Sequence, residues 1–145
     1  MAILGVDDFK AKLAGGGARP NLFKVTVNFP AYAGGNVEQT SFMCKGAQLP
    51  ASVISPIPVS FRGRQLQIAG DRTFEPWTVT IINTTDFAVR DSMEAWMNGI
   101  NNHADNQGAT DGYFAQLEVS QLDRNTGLPI PDQTWTFVDA WPSDL

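Results

Sequence analysis

Four stretches of the chain alternate apolar and polar residues with a period of two, and no other pattern in it restricts the fold as strongly. Phe23, Val25, Val27 and Phe29 alternate with Lys24, Thr26 and Asn28. Trp77, Val79 and Ile81 alternate with Thr78 and Thr80. Tyr113, Ala115, Leu117 and Val119 share one side of a run ending near Leu122, and Trp135 and Phe137 share one side of the run from Gln133 to Val138. Side chains in a strand point alternately to its two faces, so each run predicts a strand buried on one side. A weaker alternation from Gln39 to Lys45, with Thr40, Phe42 and Cys44 on one face, predicts a further strand. Pro30 and the turn Ala33-Gly34-Gly35-Asn36 place it in a hairpin with the first.

Helical spacing occurs twice. From Asp86 to Ile100, Val89, Met93, Trp96, Met97 and Ile100 form one stripe, with Asp86 and Arg90 spaced for an ion pair and Gly99, Asn101 and Asn102 favouring the end. Val6, Phe9 and Leu13 fit one face of a short helix, with Asp7 and Asp8 in its first turn and Lys10 and Lys12 towards its end. Gly15-Gly16-Gly17 stops that helix. Three apolar residues bury too little to hold so short a helix, so residues 1–18 are read as an arm that needs a partner surface, and 19–145 as a single β domain.

Residues 46–58 carry Gly46, Pro50, Pro56 and Pro58 and cannot form a central strand. Leu49, Val53, Ile54 and Ile57 make the same stretch too apolar for a bare loop, which predicts a docking surface. Val59 and Phe61, then Arg62-Gly63-Arg64, then Leu66 and Ile68 read as two short strands about a glycine turn, and Ala69 to Phe74 as a second turn. The tract from Asn101 to Gly112 is a polar linker, and Asp123-Arg124-Asn125-Thr126-Gly127 turns the chain before its last strand. This order predicts a mainly β fold of packed antiparallel sheets, a sandwich or barrel, with one flanking helix.

The chemistry is sparse. A single cysteine, Cys44, in an apolar run reads as a small core residue and fits a reducing compartment, and the one histidine, His103, lies in an Asn-rich stretch away from it. No CxxC, HExxH, phosphate loop or G-x-S-x-G occurs, so no active site, metal or cofactor is expected. Met1 to Leu4 lack a basic start and a long apolar run, so no secretory signal is expected, and no apolar run reaches membrane-spanning length. The net charge of −5 is unevenly spread: residues 1–90 hold nine Lys or Arg and six Asp or Glu, whereas residues 91–145 hold Arg124 against nine acids. An acidic half of this kind repels nucleic acid instead of binding it.

An ordered set of segments resembles the tail tube protein of contractile-tailed bacteriophages, a family shared with the tubes of extracellular contractile injection systems. The set comprises Ala18-Arg19-Pro20-Asn21-Leu22-Phe23, Phe42-Met43-Cys44-Lys45-Gly46 with Leu49-Pro50, Ile57-Pro58-Val59, Arg62-Gly63-Arg64, the run from Ala69 to Thr80, Trp135-Thr136-Phe137 and Ala140-Trp141-Pro142. The resemblance implies two packed sheets with a flanking helix, as in the type VI secretion tube protein. It implies hexameric rings that stack head to tail into a hollow conduit for DNA inside a contractile sheath, assembled in the bacterial cytoplasm and carried in the virion tail. Its partners would be copies of itself, the sheath protein, a baseplate tube initiator and a tail terminator, with DNA as passing cargo and no membrane. As assembly-interface candidates it implies Leu49, Pro50, Val53, Ile54, Ile57, Arg62 and Arg64 for ring stacking, and Asp71 and Arg72 for an ion pair between subunits or within their own turn. The family pattern also implies a further strand after the Trp-Pro element, beyond Leu145. Rival readings are a tube-initiating baseplate protein, an injection-system tube carrying protein, a monomeric ligand-binding barrel and a hydrolase with paired carboxylates.

Overall fold

The computed structural model describes residues 5–13 and 16–145. Along the chain it runs α1 (Val6–Lys12), β1 (Phe23–Val27), α2 (Val37–Met43), β2 (Cys44–Ala47), β3 (Ser52–Phe61), β4 (Arg64–Phe74), β5 (Val79–Ile81), α3 (Ala88–Ile100), β6 (Ala115–Leu122) and β7 (Pro129–Ala140). The strands form three antiparallel sheets, β1-β6-β7, β2-β5 and β3-β4, so the class is mainly β as the alternation implied.

The four strong period-two runs become β1, β5, β6 and β7. Val25 and Val27 point inward from β1 and Val119 from the central strand β6. Phe23, Leu117, Trp135 and Phe137 pack half-buried around them, as do Cys44 and Ala47 of β2. The small β2-β5 sheet closes over this face through Trp77, whose ring stacks on Phe137 with centroids 4.5 Å apart and whose indole N–H donates to the Gln48 carbonyl at 2.6 Å.

Helix α3 supplies the rest of the core. Trp96, 2% exposed, meets Phe29 edge-on at 5.9 Å and donates its indole N–H to the Tyr113 carbonyl at 2.7 Å. The Trp96 carbonyl in turn accepts from the Tyr32 hydroxyl at 3.2 Å. Gly99 is required one turn later, because a Cβ there would run into the Tyr32 ring. The expected Asp86–Arg90 pair is absent: the helix begins at Ala88, after Phe87 at φ 52°, so Asp86 lies outside it. Arg90 instead pairs with Glu94 at 2.9 Å, and Asp86 accepts from the Thr84 hydroxyl, which holds its carboxyl below the usual aspartate value.

Three local expectations are corrected. The run from Gln39 to Lys45 is no hairpin partner for β1, because Val37–Met43 is helical: Asn36 accepts from the Gln39 N–H at 3.1 Å and caps α2, Thr40 is buried, and Phe42 is 79% exposed. The partner of β1 is β6, with Val25 opposite Val119. Residues 46–58 are not a loop throughout, since Ser52 begins a strand that includes Pro56 and Pro58. Proline is tolerated there because a two-stranded ribbon has an open edge on each strand, where a missing N–H loses no ladder bond. Ala69 to Phe74 is likewise no turn but the second half of β4.

The short arm helix is present, with Asp8 accepting from the Gly5 N–H, but it buries no residue; Val6 is 70% and Phe9 63% exposed. Met1 to Leu4 and the first glycine of the expected stop, Gly15, lie outside the described residues.

Two measurements check this packing. Trp96→Ala should lower unfolding free energy by about 3–5 kcal/mol in urea titration, because it opens a cavity and orphans the Tyr113 carbonyl. Burial pushes the Cys44 thiol above its ordinary value. At pH 8 its thiolate fraction is therefore smaller in the folded chain than in the unfolded one, and iodoacetamide should alkylate Cys44 several-fold faster in urea than in buffer.

Candidate assembly surfaces

The β3-β4 ribbon is the longest hairpin in the chain and packs chiefly on itself. Arg62 at φ 47° and Gly63 at φ 76° form the two-residue turn that joins antiparallel strands with matching twist. The register from this turn pairs Phe61 with Arg64, Val59 with Leu66 and Ile57 with Ile68, while Ser60, Pro58 and Pro56 face Gln65, Gln67 and Ala69. Directly paired residues share a face and successive pairs alternate. One face is therefore Ile57, Val59, Phe61, Leu66 and Ile68 with Arg64 at its tip, and the other is proline, serine and glutamine. The apolar face is uncovered: its exposures run from 42% at Val59 to 67% at Phe61. The Arg62 guanidinium lies 5.3 Å from the Phe61 ring centroid.

The register shifts between Ile54 and Pro56, and Gly70 sits opposite that bulge. A Cβ at Gly70 would stand 2.5 Å from the Ser55 carbonyl oxygen and 2.9 Å from Ile57, so only glycine lets the strands approach there.

The residues singled out from the sequence fall on or beside this ribbon. Val53, Ile54 and Ile57 are on β3, at 39%, 49% and 51% exposure, and Leu49 (58%) and the half-buried Pro50 precede it. Arg62 and Arg64 are at the tip, and Arg72 stands opposite Ile54. Asp71 lies at the bulge, and among the described residues neither it nor Arg72 is in an ion pair; the one described is Arg90–Glu94. The structure thus joins as one ribbon what the sequence presented as a loop and two turns. It also adds members that were read as strand residues but not as surface: Val59, Phe61, Leu66 and Ile68. Their own period-two alternation on each side of Arg62-Gly63 was the available signal.

A second surface begins at the base of the ribbon. An open groove of about 1390 Å³ runs between β5 and α3 on one side and β7 on the other. Trp77, Trp135, Phe137 and Trp141 line it, with Glu75, Asp139 and Asp144 at its margin and Arg90 as the only cation among its lining residues. The alternation put Trp77, Trp135 and Phe137 on the apolar faces of their strands, but gave no sign that the space before them stays open.

These surfaces leave the molecule with far more area than its mass requires. The accessible surface is 11015 Å² at 15.8 kDa, whereas a compact monomer of that mass exposes about 7300 Å². The difference is of the size that subunits hide in obligate assemblies, which bury about 2000–5000 Å² per interface. Among the described residues no three His, Cys, Asp or Glu side chains come together as a metal site needs, and no helix is long and apolar enough to cross a membrane.

Known proteins are similar to this chain in sequence. The family model for phage tail tube protein matches residues 18–145. The tail tube protein of Serratia phage KSP90 is 33% identical over 147 aligned positions, which cover 97% of this chain and 81% of that protein. Tail tube protein gp19 of Enterobacteria phage T4 is 42% identical over 92 positions, covering 63% of this chain and 53% of the relative, and that of phage T6 matches equally. A model spanning all but the arm, and a relative matched along nearly the whole chain, carry the same description. The chain belongs to the phage tail tube protein family.

Proposed function

We propose that the chain is a structural, non-enzymatic subunit that closes into hexameric rings, which stack head to tail into a hollow tube for DNA inside a contractile sheath. The observation that carries this reading is the uncovered apolar face of the β3-β4 ribbon, on a body whose surface is half as large again as a compact monomer's. Fully burying one Val, Leu, Ile or Phe is worth about 1.5–3 kcal/mol, so covering five half-exposed ones gains on the order of 5 kcal/mol per contact. That suits an assembling subunit, since isolated two-stranded ribbons are marginal in water.

The edges support the same conclusion. Both outer strands of the β1-β6-β7 sheet, β1 and β7, have one unpaired side. Pairing such edges between copies joins sheets side by side and removes an aggregation liability. The face of that sheet opposite Val25 and Val119 carries Thr26, Glu118, Thr134 and Thr136 around the buried Ser120, with Lys24 at its margin. Turned towards a channel, hydroxyls and a carboxylate let DNA pass without the cationic neutralisation that would hold its phosphates. The exposed arm helix, the ribbon and Leu49–Pro50 are then contacts to neighbouring subunits, with the sheath, a tube initiator and a tail terminator as further partners in the virion tail. Residues 1–18 act as the arm and 19–145 as the ring-forming domain.

Purified protein in a concentration series, viewed by negative-stain electron microscopy with light scattering alongside, is expected to show sixfold rings or sheathless tubes as concentration rises. Monomers at every concentration, both from this chain and from one extended beyond Leu145, would overturn the proposal.

A further inference from the structure

We infer that the contact between subunits is made by the β3-β4 ribbon of one copy lying, apolar face inward, in the β5/α3–β7 groove of the next. This rests on the tube-subunit reading and names the two surfaces that meet. The surfaces complement each other in two independent ways. The ribbon presents Ile57, Val59, Phe61, Leu66 and Ile68 on one face, and the groove presents Trp77, Trp135, Phe137 and Trp141. The ribbon carries Arg62, Arg64 and Arg72 against Asp71 alone, while the groove carries Glu75, Asp139 and Asp144 against Arg90, which is already engaged by Glu94.

The occupant is a second copy and not the ribbon of the same chain. Ala51, Phe74, Glu75 and Pro76, at the base of the ribbon, themselves line the groove, and from there the strands lead away for ten residues, about 33 Å at strand rise. Folding the ribbon back would demand a reversal at a base where Glu75 N–H is bonded to the Ala51 carbonyl at 3.2 Å. Ribbon and groove are different patches of one molecule, so each contact leaves one of each free, and association propagates as a heterologous series that closes into a ring or continues as a filament. The basic ribbon and acidic groove also favour ribbon-to-groove over ribbon-to-ribbon and groove-to-groove pairing, through like-charge repulsion.

The test uses two full-length charge-reversed variants, R62E/R64E in the ribbon and E75R/D144R in the groove, all at exposed positions. Each alone juxtaposes like charges and should need at least about tenfold more protein than wild type to assemble, by sedimentation velocity. Mixed in equal amounts, each ribbon meets a groove of opposite sign, and assembly should return towards the wild-type concentration as an alternating series. Circular dichroism of each variant alone checks that it is folded. Wild type that assembles, with a mixture no better than its components, would overturn the ribbon–groove contact and leave the tube reading standing; a groove closed by chain beyond Leu145 would give that same result in the extended protein. Normal assembly of either single variant would overturn it as well. Wild type and a chain extended beyond Leu145 that both stay monomeric throughout would remove the tube reading and this contact with it.

Discussion

The seat of Trp96 against the β1-β6-β7 sheet holds the body of this molecule together. One side chain fills the space between α3 and the sheet, and its indole N–H satisfies the Tyr113 carbonyl as the chain enters β6. Its backbone carbonyl takes the Tyr32 hydroxyl, which pins the loop after β1 to the same helix. Three segments distant in sequence are thereby fixed by one residue. A buried aromatic ring with its polar atom satisfied gives both area and direction, which is why a core with few fully buried residues still orients its sheets. The groove owes its walls to the same contact, since α3 forms one of them.

The ribbon stands outside this core. Its strands are held by their ladder, by the positive-φ turn at Arg62-Gly63 and by the close approach at Gly70, but among the described residues no sheet or helix covers its apolar face. The apolar face of the ribbon is therefore separate from the core that folds the body. In the tube subunit proposed above, this separation leaves the ribbon free for a neighbour without drawing on the core.

Charge follows the same division. The cations concentrate in the first 90 residues, which include the ribbon, and the acids in the last 55, which include β7 and the far margin of the groove. In the contact proposed above, identical copies in one orientation would set the basic ribbon against the acidic groove. Charges at such exposed positions act through steering and discrimination more than through raw affinity, and salt weakens them.

Much of the body was legible locally. The alternations of Phe23 to Phe29, Trp77 to Ile81, Tyr113 to Val119 and Gln133 to Val138 reported β1, β5, β6 and β7, and the stripe from Val89 to Ile100 reported α3, because a repeat matching a strand or helix period reveals which face is buried. Of the assembly candidates, Leu49, Val53, Ile54 and Ile57 announced themselves as apolar residues in a proline-rich stretch. Period says nothing about what lies across from a face. Thr40, Phe42 and Cys44 alternate as a strand would, yet the Asn36 cap starts a helix over Val37–Met43, and of the three only Cys44 lies in a strand, β2. Prolines and glycines from Pro50 to Gly70 read as punctuation, yet cross-strand register makes one long ribbon of them. The sequence by itself determined which residues avoid water; only the tertiary structure decided which find cover within the chain and which, like the ribbon and the groove, are left open, because cover depends on contacts between segments far apart along it.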